Sequence, residues 1–267
     1  MIELEQVTAL LCEAGEHHVL PWFRELEAHD IDTKSGPDDL VTAADLACEA
    51  FLSEELAGIL PGARIVGEEA VAKDRSVLKA LHSSGHVWVI DPVDGTHNFA
   101  HGKEDFAIIV ALVKDGVVEA GWIHVPLQRK TLVASRGGGT YCDGAKLCVA
   151  PAVPLDEMRA VLYVGAKRFP DLYARLQEVR PQLGPRSFAR SAGMEYVNLV
   201  EGRVHYAMFT RQLPWDHAAG SLIHREAGGY AAYLDGTIYA PVEETKPLLL
   251  APDPGTWSML SALFSTG

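Results

Sequence analysis

Cysteine is scarce: Cys12, Cys48, Cys142 and Cys148 are the only four in 267 residues, with no CxxC pair and no paired-histidine pattern beside them. That excludes a zinc-finger reading and leaves reduced, mostly structural thiols. Long hydrophobic runs are also missing, and a stretch such as Ala107 to Val113 falls far short of the roughly 20 residues a membrane helix needs. Positive charge is in deficit, with 23 Lys and Arg against 36 Asp and Glu and a formal net charge of −13. Such a surface repels nucleic acid and anionic membranes, so neither is expected as a partner, and an anionic ligand would need local cations. The opening MIELEQVTAL is acidic and has no basic stretch leading into an apolar one; no secretory signal is expected, and a cytoplasmic location is. Internal repeats, low-complexity tracts and charge blocks are absent as well.

What is present reads as an ordinary globular chain. Val7, Leu10, Leu11, Val19, Leu20 and Phe23 recur at helical spacing, with Pro21 marking a kink or break. Asp30 to Asp39, around Ser35-Gly36-Pro37, reads as a loop, and from Ala43 to Leu56 the helical period resumes until Pro61-Gly62. Strands are expected over Ala63 to Gly67, Val87 to Ile90, Phe106 to Val113, Gly116 to Val125, Thr131 to Ser135 and Gly139 to Cys142, with tight turns at Lys114-Asp115-Gly116 and Asp143-Gly144. After about Leu155 the texture shifts to alternating strands and helices: Ala160 to Gly165, Asp171 to Val179, Met194 to Glu201, His205 to Phe209, and a final helix from Asp216 to Ala227 ending at Gly228-Gly229. Two lobes, residues 1–150 and 151–267, fit that shift.

The most informative stretch is HVWVIDPVDGTHNFAHG, residues 86 to 102. Pro92 cannot continue a regular ladder and disfavours helix before it, so the strand is expected to stop at Asp91. Asp91 and Asp94 then stand close together at the mouth of a core, where like charges repel unless a cation lies between them. Oxygen ligands of this kind suit Mg²⁺, which binds through a few carboxylates together with phosphate oxygens. Gly95 lets backbone approach a ligand, and a helix start at Gly95-Thr96 would aim N–H groups at an anion. Glu68, Glu69, Asp45 and Asp216 are further acids available to such a site, and bound metals would invert the local field for an anionic substrate.

Three segments, VGEE at Val66 to Glu69, WVIDPVDGTHNF at Trp88 to Phe99 and PWDHAAGSLIHREAGG at Pro214 to Gly229, resemble the inositol monophosphatase family of Mg²⁺-dependent, lithium-sensitive phosphatases, with DLVTAAD at Asp39 to Asp45 in support. The resemblance implies an α+β fold, a layered α/β/α/β/α sandwich, and a homodimer. It implies metal sites at Glu68, Asp91, Asp94 and the Val93 carbonyl, completed by Asp216, for two or three Mg²⁺ with Mn²⁺ as a substitute. Asp45 and Thr96, with Glu68, would orient the attacking water; Gly95 and Thr96 N–H groups would hold phosphate; Lys34 would lie near a third, weaker metal. Gly193, Met194 and Glu195 are the substrate-side residues it points to. The reaction implied is hydrolysis of a small phosphorylated metabolite, a polyol or sugar phosphate with inositol monophosphate first, by metal-activated water. Fructose-1,6-bisphosphate, histidinol phosphate and 3′-phosphoadenosine phosphate are the rival substrates within the fold, and a non-catalytic metabolite-binding dimer the rival of another class. The chain departs from the family where inositol hydroxyls are read: seven residues before Asp216, in place of an acid, stands Phe209, so Glu195 or Arg211 would have to serve. Met194, His97 and Glu104 also replace common residues.

Plainer readings stand beside these. Asp91 and Asp94 could be turn acids, and Gly193 an ordinary turn or helix-start glycine. Glu69 could exchange roles with Glu68. His97 and His101, four apart, could form a zinc pair on a helix or be ordinary helix-surface or core residues. Arg136-Gly-Gly-Gly-Thr140 faintly suggests a phosphate loop but lacks GK[ST]. Ser191 has no GxSxG setting and Cys142 no obvious base, which argues against a hydroxyl or thiol nucleophile.

Overall fold

A computed structural model of the chain describes residues 3–34, 40–242 and 246–265. Helix α1 (Leu4–Ala14) runs into a π-helical turn at Gly15–Val19 and a 3₁₀ turn at Leu20–Trp22, where Pro21 ends the α ladder. Strands β1 (Ile31–Thr33) and β2 (Leu40–Thr42) pair antiparallel, so part of the expected loop is strand; Ser35-Gly36-Pro37 lies outside the described residues. Then come α2 (Ala43–Ile59), β3 (Arg64–Gly67), α3 (Glu68–Lys73), β4 (His86–Asp94), α4 (Thr96–Ala100), β5 (Ala107–Lys114), β6 (Val117–Val125), β7 (Lys130–Ser135), β8 (Gly139–Cys142) and β9 (Ala145–Leu147). The remainder is β10 (Ala160–Tyr163), α5 (Pro170–Val179), α6 (Ala192–Val200), β11 (Tyr206–Phe209), α7 (Pro214–Glu226), β12 (Tyr230–Tyr233), β13 (Leu248–Ala251) and α8 (Pro254–Phe264).

Strands β3 to β9 form one sheet in sequence order, antiparallel except for the β3–β4 pair. The hairpin turn between β5 and β6 places Asp115 and Gly116 both at positive φ, +50° and +78°, as a two-residue turn matching strand twist requires. The second sheet has the order β10-β11-β13-β12, with β10 and β11 parallel.

Alternation along β4 explains the layering. Trp88 and Ile90 face one side with Ile108, Val110 and Trp122, where they meet Val7, Leu11, Leu52 and Leu56 of α1 and α2. Val87 and Val89 face the other side, against Tyr196 and Val197 of α6 and Ala218 and Leu222 of α7; that core continues to Ala207, Phe209, Leu248 and Leu250 of the second sheet. The far face of the second sheet, with Tyr206, Met208 and Leu249, is covered by Leu176 and Val179 of α5 and Leu260 and Phe264 of α8. The result is an α/β/α/β/α sandwich. Burial on both faces favours apolar residues at successive positions, which is why Val87 to Ile90 of β4 read as an unbroken hydrophobic run.

Three expectations need correction. Strand β4 does not stop at Asp91: Asp94 pairs with Ala107 beyond a register shift between Asp91 and Asp94. A β-bulge accommodates Pro92, which has no N–H for the ladder. Helix α7 begins at Pro214, two residues before Asp216, since proline suits the first helical turn. It is also not the last helix. β12, β13 and α8 follow it, and the two short strands, of four residues each, carry no alternation that distinguishes them from loop.

Candidate active site

The acids of the site arrive from four directions at one end of the large sheet. Asp45 lies in the first turn of α2, where its carboxylate accepts the Thr42 N–H at 2.8 Å and hydroxyl at 2.5 Å in a reciprocal capping box. Its other oxygen is 3.1 Å from Thr96 Oγ1. Burial pushes the Asp45 pKa up to about 7, with the Thr42 hydrogen bond opposing the rise. Glu68 and Glu69 open α3, and Lys34 Nζ sits between them at 2.8 and 2.5 Å. Burial disfavours the Lys34 charge, but the two carboxylates override it and raise the pKa. Burial likewise lifts Glu69 to about 7.

The bulge in β4 turns Asp91 and Asp94 into the same space as Asp216, which α7 presents from its first turn. Burial raises the pKa of Asp91 and of Asp216 well above the usual carboxylate range, and the charge of Glu68 adds to both. Asp91 and Asp216 lie within hydrogen-bonding reach of each other, yet among the described residues Asp91 Oδ1 is buried without a hydrogen-bond partner. An orphaned carboxylate oxygen among mutually repelling buried acids has the donor chemistry of a divalent-cation site. Among the described residues, no three such side chains already close on one point as a preformed cage.

Asp94 does a second job. It accepts the Ala192 N–H at 2.9 Å, the Gly193 N–H at 2.7 Å and the Ser191 hydroxyl, so it holds the N-terminus of α6. These bonds oppose the burial that brings its pKa to about 6. A Cβ on Gly193 would stand 2.9 Å from the Ala107 methyl and 3.1 Å from Asp94 Oδ2, so only glycine permits that approach. Gly95 has φ +87°, a left-handed turn that begins α4 and brings the Thr96 hydroxyl to 2.9 Å from the Val93 carbonyl.

Lys34, Asp45, Glu68, Asp91, Val93, Asp94, Gly95, Thr96 and Asp216 thus surround one region. Met194 and Glu195 do not line its cleft: both are buried, and Glu195 accepts the Ala189 N–H at 2.6 Å and the Tyr163 hydroxyl at 3.1 Å behind the wall. Glu49 is the functional-site neighbour that sequence reading missed. Its buried carboxylate accepts the N–H groups of Glu69 and Ala70, both at 2.8 Å, and so sets the start of α3. The four-residue spacing from Asp45 on one helix face was the available signal. The glycines after Arg136 are not a phosphate cradle, since Gly137 and Gly139 donate to Glu226 at 2.8 and 3.0 Å. His97 and His101 stack at 4.3 Å, with His101 Nδ1 2.7 Å from the His97 carbonyl.

Residues 3–263 match the family model described as the inositol monophosphatase family. The chain belongs to that family. An inositol-1-monophosphatase of Bacillus subtilis is 33% identical over 237 residues, covering 83% of this chain and 86% of that relative. A fructose-1,6-bisphosphatase/inositol-1-monophosphatase of Thermotoga maritima is 29% identical over 238 residues, 88% of this chain and 86% of its own length. The solved structure of a Thermotoga maritima IMPase superposes with a TM-score of 0.81 at 26% identity, covering 98% of this chain and 96% of that one.

Proposed function

We propose that this family member, a phosphoric monoester hydrolase, is a Mg²⁺-dependent phosphomonoesterase of small polyol or sugar phosphates, with inositol monophosphate the first substrate to test. The observation that carries the reading is the pair of buried carboxylates Asp91 and Asp94 with the half-buried Asp216 beside them and, among the described residues, an unpartnered Asp91 oxygen, next to the Asp45–Thr96 pair. Asp91, Asp94, Asp216, Glu68 and the Val93 carbonyl would hold two or three Mg²⁺, or Mn²⁺. Bound there, the ions would supply water acidification and neutralise charge on the phosphoryl group.

The chain's own residues do the aiming. The Thr96 hydroxyl has one hydrogen, which goes either to Asp45 at 3.1 Å or to the Val93 carbonyl at 2.9 Å. Its lone pairs are then left to accept a hydrogen bond from an attacking water and orient it. Asp45, buried and fixed by the Thr42 cap, holds that hydroxyl in place. The N–H groups of Gly95 and Thr96, at the left-handed start of α4, are the candidate phosphate donors. Lys34 would be drawn off Glu68 when a divalent ion takes up that carboxylate. A cytoplasmic homodimer inhibited by lithium belongs to the same reading.

The test is phosphate release from inositol 1-phosphate with Mg²⁺, repeated with chelator, with lithium and with Asp91→Asn. Activity that vanishes with chelator and falls about 10²-fold or more in Asp91→Asn is expected. No release from any phosphate ester, or full activity in Asp91→Asn, would overturn the reading.

A further inference from the structure

One residue beyond Asp216, α7 carries a buried polar group for which the chemistry proposed above has no use. His217 is 2% exposed, with the rings of Phe209 and Tyr196 at centroid distances of 4.8 and 5.9 Å. Its Nε2 stands 2.9 Å from the Arg211 carbonyl and its Nδ1 3.0 Å from the hydroxyl of Tyr196, which is in turn 3.3 Å from Ser221 Oγ. Burial keeps the imidazole neutral, so it carries a single N–H. A carbonyl can only accept, which places that hydrogen on Nε2 and leaves Nδ1 an acceptor. The Tyr196 hydroxyl must then donate to Nδ1, and Ser221 must donate to Tyr196. Each group in the run from Ser221 through Tyr196 and His217 to Arg211 thus has one role, and reversing either hydroxyl bond would leave two acceptors facing each other.

The run closes on the segment that carries Asp216. The His217–Arg211 bond spans six residues and ties the connection after β11 to the first turn of α7, with Asp216 inside the loop so formed. That turn needs holding. The charges of Glu68 and Asp94 act against the Asp216 carboxylate, and the charge of Arg211 offsets them only in part. The N–H groups of a helix's first turn have no intrahelical acceptors, so repulsion among the acids would shift Asp216 unless tertiary contacts resisted it. Tyr196 supplies the resistance: its ring packs so closely on α7 that a Cβ on Gly220 would overlap it. Tyr196 belongs to α6, and the start of α6 is held by Asp94 through the Ala192 and Gly193 N–H groups. Asp94 and Asp216 are therefore registered to one another through a single helix.

We infer that Tyr196 and His217 are positioning residues that fix Asp216 relative to Asp94, so that the acids are spaced for a divalent ion before the ion arrives. This rests on the metal-dependent reading above and names the residues that would tune it. Calorimetric titration of the free protein with Mn²⁺ tests it without turnover. Groups that orient a metal ligand from behind contribute about 10- to 100-fold in metal affinity. Tyr196→Phe, which keeps the ring and deletes the hydroxyl, should therefore weaken one class of Mn²⁺ site by about tenfold. His217→Gln retains a donor at the reach of Nε2 and should bind within about threefold of wild type, while His217→Asn, which ends short of the Arg211 carbonyl, should lose about tenfold. Asp216→Asn should remove the same class of site, and adding Tyr196→Phe to it should leave the remaining Mn²⁺ binding unchanged, because the hydroxyl acts through Asp216. With inositol 1-phosphate, the half-saturating Mg²⁺ concentration should rise about tenfold in Tyr196→Phe while kcat at saturating Mg²⁺ stays within about twofold.

A purely structural role would lower the urea midpoint of Tyr196→Phe and spare its Mn²⁺ affinity, and that pattern overturns the inference. Further loss of Mn²⁺ binding when Tyr196→Phe is added to Asp216→Asn overturns it too, since the effect would then lie elsewhere. Should Tyr196→Phe not fold, the two His217 variants decide alone: equal Mn²⁺ affinities for Gln and Asn overturn the inference, and the expected order upholds it. When wild-type protein binds Mn²⁺ but releases phosphate from no ester, the phosphatase reading falls and the Mn²⁺ affinities still judge the positioning. When wild-type protein binds no Mn²⁺, the metal-dependent reading itself falls, and the inference with it.

Discussion

Replacing Glu49 with alanine should loosen the start of α3 and destabilise the protein. The carboxylate is 7% exposed and takes two backbone N–H groups at 2.8 Å. Hydrogen bonds to a charged acceptor contribute about 1.5–3 kcal/mol each, and burial, which raises the Glu49 pKa, discounts that toward the lower end. The loss from Glu49→Ala is therefore about 3 kcal/mol. Gly67 supplies the control. Its φ of −99° is open to any residue, but an added Cβ would lie 2.3 Å from the Glu49 carboxyl carbon. Gly67→Ala should thus cost about 2 kcal/mol through overlap alone. In the Glu49→Ala background that obstacle is gone, and the same change should cost about 0.5 kcal/mol or less, giving a coupling of about 1.5 kcal/mol. Urea denaturation of the four proteins in metal-free buffer measures the cycle. Additive losses would refute the reasoning, because they would mean that Gly67 is not there to admit Glu49. Under the proposed metal-dependent reading, both single variants should also raise the Mg²⁺ concentration needed for half-maximal activity, since Glu68 begins the same helix.

Two further outcomes follow from the geometry. Thr96→Val should lower kcat by about 10²-fold with a smaller change in KM, while Thr96→Ser recovers most of the rate; equal losses in the two variants would remove the hydroxyl from the mechanism. His224 is fully buried, among the described residues neither of its ring nitrogens has a hydrogen-bond partner, and burial pushes its pKa down to about 3. The unfolded chain binds that proton near pH 6.5 and the folded protein does not, so the His224 contribution is complete above pH 6.5 and is lost as pH falls toward 3. By pH 5 the loss is about 2 kcal/mol. Denaturation at pH 7.5 and pH 5 should show His224→Phe shedding less stability on acidification by roughly that amount, and an unchanged difference would refute it.

The residues of the candidate site were legible because their types are unusual where they stand. Two aspartates at the end of an apolar run, with Pro92 between and Gly95 after, are hard to explain without a ligand, and the spacing of WD from HREAGG marks a helix start whatever the fold. Local physics also determined the capping of α2 by Thr42 and Asp45 and the turn at Asp115-Gly116, since both depend on residues within one turn of each other. Tertiary structure decided the rest. Whether β4 ended at Asp91 or bulged and continued depended on β5, which supplies Ala107 as a partner for Asp94. That Asp94 would spend its oxygens on α6, nearly a hundred residues away, and that Glu49 would hold α3 for Glu68, depended on helices meeting at the end of a sheet. No sequence period encodes such meetings, because each donor and acceptor satisfies its local rules equally well in many arrangements and only the packed core selects one.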